Sequence, residues 1–255
     1  MLRIENLTKM FGGLAAVKDI SVEFEANQVN AIIGPNGAGK STFFNLVAGS
    51  HKPSFGHIIL DGEDITTLRC DYIARRGVGR TFQTTNLFEQ ASVLDNLIVG
   101  HRLRTRSGLW DVLVNSRRLQ QEEKLSRDKA REALEFVGLS HVENRFIADI
   151  TQEERKRVAF ALALTTDPKI LLLDEPAAGI NPEETQGLAE LIGRMKDHGL
   201  TVCLIEHKMD MVMGIADKIM VLDHGEKIAE GTPEQVREDP AVIEAYLGSD
   251  DDAAA

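Results

Sequence analysis

Residues 29–47 carry the pattern that restricts the possible folds of this chain most. An apolar run from Val29 to Ile33 is followed by GPNGAGKS, which starts at Gly34, and a helical pattern then continues to Val47. This string matches the phosphate-loop pattern G-x-x-x-x-G-K-[ST], with the required strand before it and helix after it. The alternative is a glycine-rich turn that contains GKS by chance. We predict a buried strand, a loop that wraps around phosphate groups, and a helix.

The backbone and the side chains of this loop have separate predicted roles. Its glycines let successive N–H groups point at phosphate oxygens, and the helix N-terminus adds partial positive charge. Lys40 is predicted to neutralise the β- and γ-phosphates of a nucleotide, and Ser41 to offer its hydroxyl to Mg²⁺. The predicted nucleotide-binding residues of this segment are Gly34, Pro35, Asn36, Gly37, Ala38, Gly39, Lys40, Ser41 and Thr42.

A second motif is ILLLDEP at residues 170–176, where an aliphatic strand ends in two carboxylates. Asp174, at the end of the strand, is placed to hold Mg²⁺, and Glu175 is placed to polarise an attacking water as a general base. An ordinary strand that runs into an acidic turn would give the same string. The phosphate loop favours the metal-binding and catalytic interpretation.

Composition excludes several other classes of protein. With 255 residues and 43% hydrophobic side chains, the chain is long and apolar enough for one large α/β domain. Its net charge of −11 argues against broad nucleic-acid binding. Cys70 and Cys203 lie too far apart in sequence to indicate a zinc motif or a disulfide framework. No apolar run is long enough to span a bilayer, so any membrane role is predicted to be peripheral.

The remaining patterns predict the order of elements. The first third is strand-like, and residues 84–164 are mainly helical, with an apolar stripe of Leu125, Ala133, Leu134 and Val137. Strands return at 170–173 and 202–205, and between them we predict a helix over 182–198 with Asn181 as its N-cap. A hairpin over 218–229 and two short helices complete the chain.

Taken together, the phosphate loop, the helical insertion, LLLDEP and a strand that ends in Glu206-His207 resemble the nucleotide-binding subunits of ABC transporters over essentially the whole chain. The resemblance implies an α/β P-loop ABC ATPase fold. Its parts would be a RecA-like core sheet, an antiparallel N-terminal β-subdomain and an inserted helical subdomain. Residues 1–255 would form one nucleotide-binding domain. The implied divisions are an ATPase core at 1–83 and 165–232, a helical subdomain at 84–164, and C-terminal helices at 233–249.

The same resemblance implies ATP and Mg²⁺ as ligands and assigns further site residues. Gln83 of RTFQ resembles the glutamine that senses Mg²⁺, and His207 resembles the histidine that contacts the γ-phosphate and the attacking water. Phe11 lies where family members stack an aromatic ring on adenine. The implied catalytic residues are Glu175, His207 and Gln83, and the implied metal ligands are Ser41, Gln83 and Asp174. By residue type alone, His207 fits a surface histidine at a strand end better than a catalytic one. Phe11 fits core packing as well as it fits stacking on a base.

Several strings resemble a narrower family, the branched-chain amino acid importer ATPases. They are FGGLAAVKDIS, RTFQTTNLFEQASVLDNL, DEPAAGINPEET, IEHKMDMVMGIADKIMVLDHGEKIAEGTP and AYLG. Urea and amide importers share much of this pattern. The implied location is peripheral, at the cytoplasmic face of the inner membrane. The implied partners are a second ATPase subunit in a homodimer or heterodimer, transmembrane permease subunits and, indirectly, a solute-binding protein, with no nucleic acid.

One segment departs from the family. Where LSGGQ or LSYGQ is usual, residues 150–154 read ITQEE, so that Gln152 and Glu153 replace both glycines. These side chains would block the close approach of this segment to ATP held by the partner subunit. We predict that the chain's own phosphate loop serves hydrolysis, whereas the composite site opposite residues 150–154 turns over poorly.

Two other interpretations of the divergent segment stay open. The string T-x-x-E at Thr151 to Glu154 also fits a helix capping box. A soluble or regulatory ABC ATPase that binds ATP and hydrolyses it weakly is the alternative function.

Overall fold

The computed structural model describes residues 1–81, 87–101 and 116–251. Its strands are β1 (Leu2–Phe11), β2 (Leu14–Phe24), β3 (Val29–Ile33), β4 (Phe55–Leu60), β5 (Glu63–Asp64), β6 (Val78–Thr81), β7 (Ile170–Asp174), β8 (Thr201–Ile205), β9 (Lys218–Asp223) and β10 (Glu226–Gly231). Its α-helices are α1 (Lys40–Val47), α2 (Cys70–Arg75), α3 (Val93–His101), α4 (Arg117–Phe136), α5 (Gln152–Leu164), α6 (Pro182–Asp197), α7 (Met209–Ile215), α8 (Pro233–Glu238) and α9 (Pro240–Asp251).

The described strands form two sheets. One is antiparallel, in the order β2-β1-β4-β5, and the other has the order β10-β9-β3-β8-β7-β6. In the larger sheet β9, β3, β8, β7 and β6 run parallel, and only the hairpin partner β10 is antiparallel to its neighbour. With the helices between β6 and β7, this arrangement confirms the predicted α/β core, antiparallel N-terminal sheet and helical insertion.

Strand order brings the predicted site segments together. Strand β8 lies between β3 and β7, and Ile205 near its end pairs with both Ile32 and Asp174. The loops that follow β3, β7 and β8 therefore leave the sheet side by side. These are the segments that carry Lys40, Glu175 and His207.

The larger sheet is buried on both faces. All five residues of β3, of β7 and of β8 are buried, as expected for a parallel sheet covered on both sides. Alternate side chains enter two different cores: Leu171 and Leu173 pack with the helical insertion and α6, whereas Ile170 and Leu172 pack with α1 and the antiparallel sheet. The edge of the sheet that carries Asp174 therefore lies between two hydrophobic cores, one on each face of the sheet.

Helix α4 corrects one detail of the predicted apolar stripe. Leu134 is fully buried, but Leu125 is 51% exposed. Helical spacing places Ser126 on the buried face instead, where its hydroxyl lies 2.9 Å from Nδ1 of the buried His101. The inner face of α4 therefore carries a buried polar contact where the sequence pattern suggested leucine.

The subdomain boundaries at 83/84, 164/165 and 232/233 stay predictions. The first of them lies outside the described residues. Helix α5 ends at Leu164 and helix α8 begins at Pro233, close to the other two.

Candidate functional site

Two glycines fix the path of the loop between β3 and α1. Gly34 has φ 144° and Gly39 has φ 96°, backbone conformations that side-chain-bearing residues rarely adopt. A Cβ atom on Gly34 would lie 1.9 Å from the carbonyl oxygen of Leu222, and one on Gly39 would lie 2.3 Å from that of Ala16. Both positions require glycine because the loop packs directly against neighbouring backbone.

Lys40 lies over the centre of this loop. Its Nζ donates hydrogen bonds to the carbonyl oxygens of Gly34 at 2.7 Å and Pro35 at 2.8 Å. Burial lowers the pKa of Lys40, while the negative charges of Glu175 and Asp174 oppose that shift. The ammonium group is thus held against two carbonyl oxygens of the loop, within the segment predicted to bind phosphate.

The other predicted nucleotide-binding residues lie around it at different depths. Gly34 and Ala38 are buried, Pro35, Gly39 and Thr42 are half-buried, and Asn36, Gly37 and Ser41 are exposed.

Phe11 ends strand β1 with 46% of its surface exposed. Its ring lies edge-on to His51, with the ring centroids 5.7 Å apart, and Lys9 Nζ lies 5.0 Å from the ring centroid. This exposure excludes the core-packing interpretation of Phe11. The ring is accessible for stacking.

Glu175 and His207 come together at the ends of β7 and β8. Glu175 Oε1 and His207 Nε2 share a hydrogen bond of 2.9 Å across 32 residues of sequence. Glu175 has φ 50°, an uncommon conformation for a residue with a side chain, and its N–H donates to the Ile205 carbonyl at 2.9 Å. The two predicted catalytic side chains therefore face each other beside the phosphate loop.

Asp174 lies at the end of β7 and is only 8% exposed. Its Oδ2 accepts a hydrogen bond of 3.0 Å from Arg80, whose second guanidinium nitrogen donates to Asn45 Oδ1 at 2.7 Å. Sequence reasoning missed this arginine. Its only signal is a charged residue inside the strand-like segment 78–81, where it is the first residue of the RTFQ motif.

Glu206 is a second residue that sequence reasoning missed, although the Glu206-His207 pair was noted as a strand end. Its side chain is 2% exposed and links two loops. One carboxylate oxygen accepts from the N–H of Ala177 at 2.6 Å, and the other accepts from the N–H groups of His207 at 2.9 Å and Lys208 at 3.3 Å. Glu206 thus connects the segment after Glu175 to the segment that carries His207.

Two lysines hold the turn after β7. Lys156 Nζ donates to the carbonyl oxygens of Pro176, at 2.8 Å, and Ala178. Lys208 Nζ donates to the carbonyl of Ile180 at 2.9 Å. Because Lys156 extends from α5, the helical insertion is connected directly to the turn that follows Glu175.

The divergent segment before α5 forms a complete capping box. Thr151 Oγ1 accepts from the N–H of Glu154 at 3.1 Å, and Glu154 Oε2 accepts from the N–H of Thr151 at 2.7 Å. These hydrogen bonds lower the pKa of the Glu154 carboxyl, so it is negatively charged at neutral pH. Glu153 forms an ion pair with Arg157. The capping-box interpretation is confirmed, and it places two carboxylates at this helix end.

Gln83 lies outside the described residues, and its role stays a prediction. The donor set around the loop suits Mg²⁺, which is usually held by one or two protein oxygens together with substrate phosphates. Ser41 and Asp174 supply a hydroxyl and a carboxylate of that kind. Among residues 1–81, 87–101 and 116–251, no three His, Cys, Asp or Glu side chains form a metal-binding group.

The described part of the chain contains no helix that is both long and apolar enough to cross a bilayer.

Two family sequence models match the chain. The one described as "ABC transporter" matches residues 17–178, and the one described as "Branched-chain amino acid ATP-binding cassette transporter" matches residues 226–252. The first match covers the phosphate loop, residues 150–154 and the strand that ends at Asp174.

Named relatives match over nearly their full length. The chain is 41% identical to the high-affinity branched-chain amino acid transport ATP-binding protein LivG of Escherichia coli (strain K12), over 97% of this chain and 98% of that protein. It is 42% identical to the high-affinity branched-chain amino acid transport ATP-binding protein BraF of Pseudomonas aeruginosa, over 97% of this chain and 98% of that protein.

Solved structures agree with these matches. A nucleotide-free ATP-binding cassette from an ABC transporter has a TM-score of 0.85 and 34% identity, covering 96% of this chain and 98% of that one. The ADP conformation of an ATP-binding cassette has a TM-score of 0.86 and 34% identity, covering 97% and 98%. Sequence, fold and site agree, and the chain belongs to the ABC transporter family as an ATP-binding cassette.

Proposed function

We propose that this chain hydrolyses ATP to power an importer of branched-chain amino acids. The transport descriptions of the relatives and of the model that matches residues 226–252 support this substrate class. The observation that carries the ATPase assignment is the 2.9 Å contact between Glu175 and His207, beside a phosphate loop with Lys40 at its centre. No observation favours the soluble or regulatory alternative.

Hydrolysis proceeds by attack of water on the γ-phosphorus of ATP. The loop N–H groups and Lys40 hold the β- and γ-phosphates, and Phe11 stacks on the adenine. Glu175 orients the water and accepts its proton while the bond from the γ-phosphorus to the leaving oxygen of ADP breaks. In the nucleotide-free arrangement His207 Nε2 donates to the Glu175 carboxylate, and the same N–H would turn to the γ-phosphate when ATP is bound.

Ser41, Asp174 and Gln83 are the proposed Mg²⁺ ligands. The ion supplies positive charge that neutralises the β- and γ-phosphate oxygens. Arg80 holds the Asp174 carboxylate in place before nucleotide arrives. The remaining proposed partners are a second cassette and transmembrane permease subunits at the cytoplasmic face of the inner membrane, with a solute-binding protein acting through the permease.

The two composite sites of a cassette dimer are proposed to differ. The carboxylates of Glu153 and Glu154 lie at the helix end that would approach a partner's γ-phosphate, and like charges repel there. The catalytic residues of this chain would face the partner's signature segment instead. In a heterodimer, hydrolysis therefore takes place on this chain's own phosphate loop.

The test is ATP turnover with Mg²⁺ by the full chain, alone and with candidate partner cassette and permease subunits. We expect the partners to stimulate turnover and Glu175→Gln to lower it by at least about a hundredfold, since general-base catalysis contributes that much. Nucleotide affinity of the variant serves as the control and is expected to persist. Undiminished turnover in the Glu175→Gln complex would place hydrolysis on the other composite site.

A further inference from the structure

The proposed Mg²⁺ ligands come from three separate segments of the fold. Ser41 lies in the first turn of α1, Asp174 is the last residue of β7, and Gln83 follows β6 in sequence. Mg²⁺ demands near-ideal octahedral geometry, so its ligand oxygens must be held at fixed positions relative to one another. The relative placement of α1, β7 and β6 therefore matters for the site, and Arg80 on β6 forms hydrogen bonds with both of the other elements.

The register of β6 and β7 places Arg80 and Asp174 on the same face of the larger sheet. Arg80 pairs with Leu172 in the parallel ladder. Asp174 lies two residues beyond Leu172 on β7, so the three side chains point to one side of the sheet. On that side Leu172 packs in the core that includes α1. The side chains of Arg80 and Asp174 are each only 9% exposed there.

The guanidinium of Arg80 forms one hydrogen bond to β7 and one to α1. Its Nη2 donates to Asp174 Oδ2 at 3.0 Å, and its Nη1 donates to Asn45 Oδ1 at 2.7 Å. Asn45 lies four residues after Ser41, so both side chains lie on the same face of α1. Because the guanidinium is a planar and rigid fork, it holds its two acceptors at a fixed separation. Arg80 thus connects the Ser41 face of α1 to the end of β7.

We propose that Arg80 is a positioning residue for Mg²⁺, which fixes the spacing between the Ser41 hydroxyl and the Asp174 carboxylate through its hydrogen bond with Asn45. Residues that orient metal ligands contribute to metal affinity without touching the ion. This role rests on the proposed function of the loop as the ATP site, with Ser41 and Asp174 as ligands of the ion. The guanidinium also places a positive charge against the buried Asp174 carboxylate, so a test of positioning must keep that charge.

The experiment compares two charge-preserving variants of the full chain, Asn45→Ala and Arg80→Lys. Asn45→Ala leaves the ion pair between Arg80 and Asp174 in place and removes its connection to α1. Arg80→Lys replaces the rigid fork with a single ammonium group on a flexible stem. The matched control is Arg76→Lys, because Arg76 pairs with the exposed Glu63 on β5.

For each protein we would measure Tm and the Kd of a fluorescent, non-hydrolysable ATP analogue, both in EDTA and in saturating Mg²⁺. The Kd in EDTA divided by the Kd in Mg²⁺ gives the contribution of the ion to binding. We expect this ratio to fall about threefold to tenfold in Asn45→Ala and in Arg80→Lys, the effect of losing one buried hydrogen bond. The Kd in EDTA is expected to stay within about twofold of wild type, since the phosphate loop is unchanged. In Arg76→Lys both quantities are expected to stay within about twofold.

An unchanged ratio in either Asn45→Ala or Arg80→Lys would overturn the proposal. An equal loss of affinity in EDTA would also overturn it, because the defect would then lie in the phosphate loop, and so would the same fall of the ratio in Arg76→Lys. A ratio near one in the unaltered chain would overturn the proposal together with the assignment of Ser41 and Asp174 to Mg²⁺. Failure of the unaltered chain to bind the analogue at all would instead overturn the proposed function.

Discussion

At the scale of single residues, Glu175 is held by its backbone as well as by its side chain. A left-handed conformation at a residue with a side chain costs on the order of 1 kcal/mol, and such positions cluster at functional sites. The hydrogen bond from its N–H to Ile205 compensates for part of that cost and fixes the direction of the carboxylate toward His207. The left-handed backbone at Glu175 is therefore part of how the contact between Glu175 and His207 is formed.

Glu206 gives a prediction at the same scale. Glu206→Gln replaces one acceptor oxygen with an amide donor opposite backbone N–H groups of Ala177, His207 or Lys208. We expect the free energy of unfolding to fall by about 1–3 kcal/mol, because a buried donor loses its partner. We also expect kcat to fall while KM for ATP changes little, since the segments that carry Glu175 and His207 are no longer connected.

The matched control is Glu190→Gln on the exposed side of α6, which removes a carboxylate that accepts a hydrogen bond of 3.4 Å from Gln186 of the same helix. Denaturant unfolding and steady-state kinetics of both variants make the comparison. A Glu206→Gln protein with the stability and kcat of wild type would show that the carboxylate does not hold the two segments together.

At the scale of elements, α4 provides a direct test of which helical face enters the core. Leu134 is fully buried, whereas Leu125 is 51% exposed on the same helix. Leu134→Ala is expected to lower the free energy of unfolding by about 2–5 kcal/mol, and Leu125→Ala by less than about 0.5 kcal/mol. Urea unfolding of both variants measures the difference. Equal losses would contradict the orientation of α4 described here.

Local patterns were sufficient to predict the elements that carry the site. The phosphate loop, the Asp174-Glu175 pair and the Glu206-His207 pair each follow a strand-like apolar run, so they were found from contiguous residues. Arg80 was missed because its partner Asp174 lies 94 residues away, and no local pattern gives the order of strands in a sheet. Leu125 was misplaced because an irregular apolar pattern does not fix which face of a helix is buried.

At the scale of the whole molecule, residues 150–154 are predicted to weaken hydrolysis across a cassette dimer. The capping box satisfies the N–H groups of Thr151 and Glu154 within this chain, and the Glu154 carboxylate adds negative charge at the same place, whereas Glu153 is paired with Arg157. A helix end that is already capped by carboxylates has little remaining attraction for a phosphate. The homodimer is therefore expected to be a weak ATPase.

Restoring both glycines tests this argument. The double variant Gln152→Gly with Glu153→Gly removes the two side chains and one charge but keeps the Thr151–Glu154 box. We expect turnover of the isolated chain to rise at least about tenfold, since a phosphate-directed helix end provides strong electrostatic stabilisation. Each added glycine is expected to cost about 0.5–1 kcal/mol of stability. Glu234→Gly, in the first turn of α8 behind the equivalent box of Thr232 and Gln235, controls for that cost. Turnover no higher than wild type, in a double variant whose Tm falls no more than about twice as far as that of the single-glycine control, would mean that the side chains at the start of α5 do not limit hydrolysis.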